Sequence, residues 1–69
     1  MTTMEDQDMT QATKWWFAQS YRRRYLFAQD PDGNTREVYM QAKPGMTERT
    51  IEMNLVIRMQ KKHGLHTEF

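Results

Sequence analysis

The residues best equipped for chemistry lie in one stretch. KWWFAQSYRRRYLFAQ, residues 14 to 29, holds both tryptophans, two of three tyrosines, two of three phenylalanines and three consecutive arginines, with no acidic residue. Aromatic faces stack on nucleobases while guanidinium groups hold phosphates. The same residue types also dominate the energetics of protein interfaces. From this stretch and the strand that follows it, Trp16, Arg22, Arg24, Leu26, Tyr39 and Gln41 are the candidate binding residues. Three uses of such a face are open: contact with a protein partner in an inhibitor or adaptor role, binding of single-stranded nucleic acid, or self-association with no separate ligand surface.

Catalytic and metal chemistry find little footing elsewhere. A hydrolase needs a nucleophile with a base in reach, yet the only serine, Ser20, sits in a strand-like run and the only histidines, His63 and His66, fall at a helix end. There a histidine serves the helix dipole more often than a metal, although His63, His66 and Glu68 are nominal ligands. The DPDG segment resembles the start of a calcium loop but lacks the third regular acidic ligand and the distal glutamate. Glu48 and Glu52 stand one helical turn apart, as a solvated pair. Gly33, Gly45 and Gly64 are isolated at turns, so no phosphate loop exists. The expectation is a non-enzymatic protein with no cofactor and no metal.

The elements that position these residues must be small. A chain of 69 residues is one domain at most, and at this size folding buries only about 60% of the unfolded surface. Isoleucine, leucine and valine total seven, so the core leans on aromatics and methionine. There is no cysteine, which excludes disulfides and thiolate zinc sites and fits a reducing, cytoplasmic setting. No apolar run approaches the roughly 20 residues of a membrane helix, and the acidic amino terminus does not resemble a signal peptide.

The net charge of +1 conceals an asymmetry: residues 1–13 carry Glu5, Asp6 and Asp8 and no base, whereas residues 14–69 carry ten bases against six acids. Residues 1–13 therefore read as a disordered acidic tail, and residues 14–69 as one α+β domain. Within it, two or three antiparallel strands between residues 14 and 42 pack on one helix over 47–63, and LHTEF forms a short closing strand.

The helix carries the firmest signals: Thr47 as amino-terminal cap, Glu48 in the first turn, and KKHG as a basic, glycine-terminated end. Ile51, Leu55, Val56 and Met59 make its core stripe. Met53 and Ile57 fall outside that stripe and mark the seam of an expected homodimer.

For the strands, Asp30 to Asn34 reads as a hairpin turn. A loop of Pro31 to Asn34 sets Phe27 opposite Val38, Tyr25 opposite Met40, Leu26 opposite Tyr39 and Arg24 opposite Gln41. The alternative, with Leu26 against Val38 and Phe27 against Glu37, mixes the faces and is disfavoured. Residues 14–28 alternate as a strand, with Trp15, Phe17, Tyr21, Tyr25 and Phe27 on the core face. Trp16, Arg22, Arg24 and Leu26 then lie outside, and Arg23 points inward, which calls for a bulge, edge or corner. The lack of glycine in this stretch argues against a tight two-residue hairpin.

Overall fold

Thr47 and Gly64 bracket the helix between them as their types dictate. The computed structural model describes residues 10–67, and within it α1 spans Glu48–His63. Thr47 is extended, and its Oγ1 accepts the Thr50 amide at 3.1 Å. Gly64 ends the helix in the left-handed region, its N–H donating to Gln60 O at 2.9 Å. Ile51, Leu55, Val56 and Met59 are the buried residues of α1, the stripe expected from their spacing.

Among the described residues, five strands accompany α1: β1 (Thr10–Gln11), β2 (Lys14–Ser20), β3 (Arg23–Gln29), β4 (Thr35–Gln41) and β5 (Leu65–His66). β2, β3 and β4 form an antiparallel sheet in that order, and β1 pairs in parallel with β5. The fold is α+β, with α1 packed on β3 and β4. The core joins the helix stripe to Leu26, Ala28, Val38 and Met40 of the sheet and to Ala12 and Leu65 at the chain ends.

Residues 1–9 of the expected tail lie outside the described residues, but Thr10–Thr13 belong to the fold, a correction to the boundary at 13. Ala12 is buried. The Thr10 and Ala12 amides donate to Gly64 O (2.7 Å) and His66 O (3.0 Å), and the Thr13 amide to Gln29 O (2.8 Å). The closing strand needs a partner for its backbone, and this segment supplies it.

The strand register differs from expectation by one residue. Leu26 faces Val38, Phe27 faces Glu37, Tyr25 faces Tyr39 and Arg24 faces Met40. Asp30 is the cause. Gly33 N–H donates to Asp30 O (3.0 Å), and the Asp30 amide donates to Asn34 O (2.9 Å). Pro31, Asp32 and Gly33 therefore form a three-residue connection, with Gly33 at φ 89°, the arrangement of a turn followed by a glycine bulge. The Asp30 carboxylate fixes it by accepting the Asp32 and Asn34 amides at 3.0 and 2.9 Å.

A second correction concerns the first hairpin. β2 and β3 are joined by Tyr21 and Arg22 alone, with Ser20 opposite Arg23, so a tight two-residue hairpin forms without glycine. Tyr21 takes φ 59°. A connection of two residues reverses strand parity: odd positions of β2 and even positions of β3 face the helix. Tyr25 and Phe27 are therefore outside and Leu26 inside, opposite to the expected core face. The physical reason is that, with Leu26 inside and opposite Val38, six of the seven scarce aliphatics are buried and only Ile57 is left out.

Candidate binding face

The face of the sheet away from α1 carries Trp16, Tyr25, Phe27 and Tyr39 in one row. Trp16 and Phe27, opposite one another on β2 and β3, stack with centroids 5.4 Å apart and planes inclined by 16°. Phe27 and Tyr25 stack at 5.9 Å and 14°, and Tyr25 meets Tyr39 of β4 at 5.9 Å and 49°. Such ring pairs stabilise by about 0.5–1.5 kcal/mol beyond simple burial. Cations cap both ends: Lys14 Nζ lies 5.6 Å from the Trp16 ring and the Arg23 guanidinium 4.9 Å from the Tyr39 ring.

The row remains open to solvent at its ends, Trp16 being 42% and Tyr39 48% exposed. Tyr25 and Phe27 are half-buried between them. A contiguous exposed aromatic row is the kind of patch that marks a binding surface on a small soluble domain.

The six expected site residues divide. Trp16, Tyr39 and Gln41 are on this outer face as expected. Arg22 lies in the β2–β3 turn, where with Tyr21, Arg23, Tyr25 and Gln41 it borders a shallow groove at the end of the row. Leu26 and Arg24 are corrected to the helix side. Leu26 is 0% exposed. Arg24 pairs with Glu48 in the first turn of α1, its Nη1 donating to both carboxylate oxygens, 2.6 Å to Oε2. Arg23, expected inside, is on the outer face over Tyr39.

Sequence reasoning therefore missed Lys14, Arg23, Tyr25 and Phe27 as members of the face. A signal was available in the pairing of β3 with β4: the register that sets Leu26 opposite Val38 gathers the aliphatics and sends Arg23, Tyr25 and Phe27 outward. The expected seam residues also separate. Met53 borders a groove with Trp15, Phe17 and Val56 on the β2 side of the helix, whereas Ile57 borders one with Met40 and Met46 on the other.

A second basic cluster approaches the row from the helix. Arg58, Lys61 and Lys62 line a groove with Val38 and Tyr39, and Arg58 Nη1 donates to Tyr39 O at 2.8 Å. His63, the nominal metal ligand, has its Nε2 3.3 Å from Glu37 O. Among the described residues there is no group of three or more His, Asp or Glu side chains able to hold a metal ion, and no helix is long and apolar enough to cross a membrane. Comparison with known proteins returned no matching family, no matching curated protein and no matching solved structure.

Proposed function

We propose that this chain is a small non-enzymatic binding protein, of inhibitor or adaptor type, that docks the outer sheet face on a protein partner in the cytoplasm. The observation that carries this reading is the continuous row Trp16, Phe27, Tyr25 and Tyr39. Its rings are packed against one another. Pre-packed aromatics lose little conformational freedom on binding and fill pockets on a partner, as interface anchors do. Lys14 and Arg23 at the ends, with Lys61 and Lys62 beside Tyr39, suit a partner surface with an apolar centre and an acidic rim.

The second reading is single-stranded nucleic acid, favoured by the placement of Arg58, Lys61 and Lys62 beside Tyr39. It requires ring faces free for bases, and the near-parallel stacking of Trp16 on Phe27 and Phe27 on Tyr25 already engages those faces. Arg24, a phosphate candidate in the sequence, is bound to Glu48.

Capture from extract with and without nuclease, comparing the unmodified chain with Trp16→Ala and Tyr39→Ala, tests both. The expected result is a nuclease-resistant protein lost from both variants. Capture abolished by nuclease, together with a single-strand affinity whose salt slope falls by roughly 0.7 per cation removed, would replace the first reading by the second.

A further inference from the structure

At the end of the sheet that carries the β2–β3 turn, the outer face changes from aromatic to polar. Ser20 lies opposite Arg23 and Arg23 opposite Gln41. A hydroxyl, a guanidinium and an amide therefore stand in one line across β2, β3 and β4, about 10 Å from end to end at ordinary strand spacing. Arg22, in the turn, borders the same groove with Tyr21 and Tyr25. The turn is tied to the end of β4, because the Ala42 amide donates to Arg22 O at 2.7 Å. Arg23 is restrained by its place over the Tyr39 ring, a contact that gives its N–H groups no oxygen acceptor.

Charge at this end is one-sided. Among the described residues neither Arg22 nor Arg23 pairs with a carboxylate, whereas Arg24 is bound to Glu48 and Arg36 to Asp30. No acidic residue lines the groove. The one acid on the outer face of β2, β3 and β4 is Glu37, four residues before Gln41 and so about 13 Å away along its strand. Tyr21, at the apex, is 98% exposed and has its backbone at positive φ. Strained backbone of this kind clusters at ligand sites.

We infer that this end of the sheet is a binding site for a terminal phosphoryl group, with Arg23 as its forked anchor, Arg22 as a second cation, and Ser20 and Gln41 as neutral donors. The planar fork of a guanidinium matches two phosphoryl oxygens at once. Two unpaired arginines balance the nearly two charges of a terminal phosphoryl group. The bridging phosphates of a nucleic-acid strand suit the site less, since the next line along the face, Ala18, Tyr25 and Tyr39, offers no cation for a second phosphate. The inference does not rest on the aromatic row having a protein partner.

Nuclear magnetic resonance of the full chain, titrated with N-acetyl-O-phosphoserine amide at constant ionic strength, tests it. Saturable amide shifts should be confined to Ser20–Arg23 and Gln41. Arg23→Ala should weaken binding by about tenfold or more, the loss of a charge-assisted contact, and Arg23→Lys should restore only part, because an ammonium lacks the fork. Arg22→Ala, in the exposed turn, should weaken binding several-fold and does not depend on Arg23→Ala being tolerated; helical circular dichroism checks that each variant is folded. Arg36→Ala removes the same charge at the far end of the sheet and should leave binding unchanged. Dimethyl phosphate, a diester, should bind about tenfold more weakly than the monoester. Shifts centred on Lys61 and Lys62, equal losses from Arg23→Ala and Arg36→Ala, or a diester bound as well as the monoester would overturn the inference. Inorganic phosphate separates the sources: binding equal to that of the serine derivative assigns the site to free phosphate, and tighter binding of the derivative assigns it to a phosphorylated side chain. Because the probes contain no protein, these outcomes are independent of whether Trp16→Ala abolishes capture of a partner.

Discussion

On one face of the three-stranded sheet Leu26, Ala28, Val38 and Met40 disappear beneath α1; on the other, Trp16, Phe27, Tyr25 and Tyr39 stand in a row at the solvent. Both faces are apolar, but they are held by different means. The helix side relies on removal from water, about 25 cal/mol for each Å² of apolar area covered. The outer side relies on ring-to-ring contact and on cations over ring faces, which persist with water on one side. A domain with few branched aliphatics has thus spent them under the helix and left its largest rings available for contact. Core and contact surface are separated by residue class.

Substitutions at adjacent positions test that separation most severely. Leu26→Ala should lower stability by about 2–5 kcal/mol, the range for a leucine deleted from a close-packed interior. Phe27→Ala, one residue along but on the other face, should cost only about 1–2 kcal/mol from lost ring contacts. Urea titration of the two variants side by side reads the difference, and a larger loss at Phe27 would reverse the assignment of the faces. Next in size is Trp16→Ala, which should weaken partner binding by about 2 kcal/mol, roughly thirtyfold. Its midpoint of thermal unfolding should shift by no more than a few degrees.

Smaller effects sharpen the same contrast. Tyr21 sits at positive φ in the turn that sets the parity of the two faces, a conformation that strains a residue with a Cβ. Tyr21→Gly should therefore raise stability by about 0.5–1 kcal/mol, relief of strain outweighing the added freedom of the unfolded chain. A clear loss of stability would show that the tyrosine ring has a contact worth more than the strain. The neighbouring arginines should differ in kind. A double-mutant cycle for Arg24 and Glu48 should give a coupling of about 0.5–1 kcal/mol that fades with salt, because Glu48 is 64% exposed. Arg23 and Tyr39 should couple by about 0.5 kcal/mol.

The helix was fully legible because each of its signals is local: a threonine cap, an acidic first turn, a basic last turn and a glycine stop. The strands were legible as strands but not as faces. β3 reads Tyr25, Leu26, Phe27, Ala28, apolar at four successive positions, so alternation cannot say which parity goes inward. Two features decide it, and both are turns. Asp30-Pro31-Asp32-Gly33 announces a connection, but whether three or four residues are looped out depends on where the Asp30 carboxylate finds its amides. Tyr21 and Arg22 give no turn signal at all, since the glycine or asparagine that such a tight connection favours is absent. One observation in the sequence pointed the right way: only the register that joins Leu26 to Val38 gathers the aliphatics beneath Ile51, Leu55 and Val56.

The parallel pair of β1 and β5 bears on how the chain reaches this state. Gln11 bonds to His66 across a separation of 55 residues, so the contact closes almost the longest loop the described chain contains. During synthesis, Thr10 and Gln11 emerge early and must wait, unpaired, until Leu65 and His66 follow them. The two hairpins and the helix involve shorter separations and can form in the meantime. The pairing of the ends is then the last event of folding, and with only two residues on each side it is also the first to open. Amide exchange at Thr10 and Ala12 should outpace that at Leu26 and Val38, giving the molecule a clasp that loosens well before the sheet beneath it unfolds.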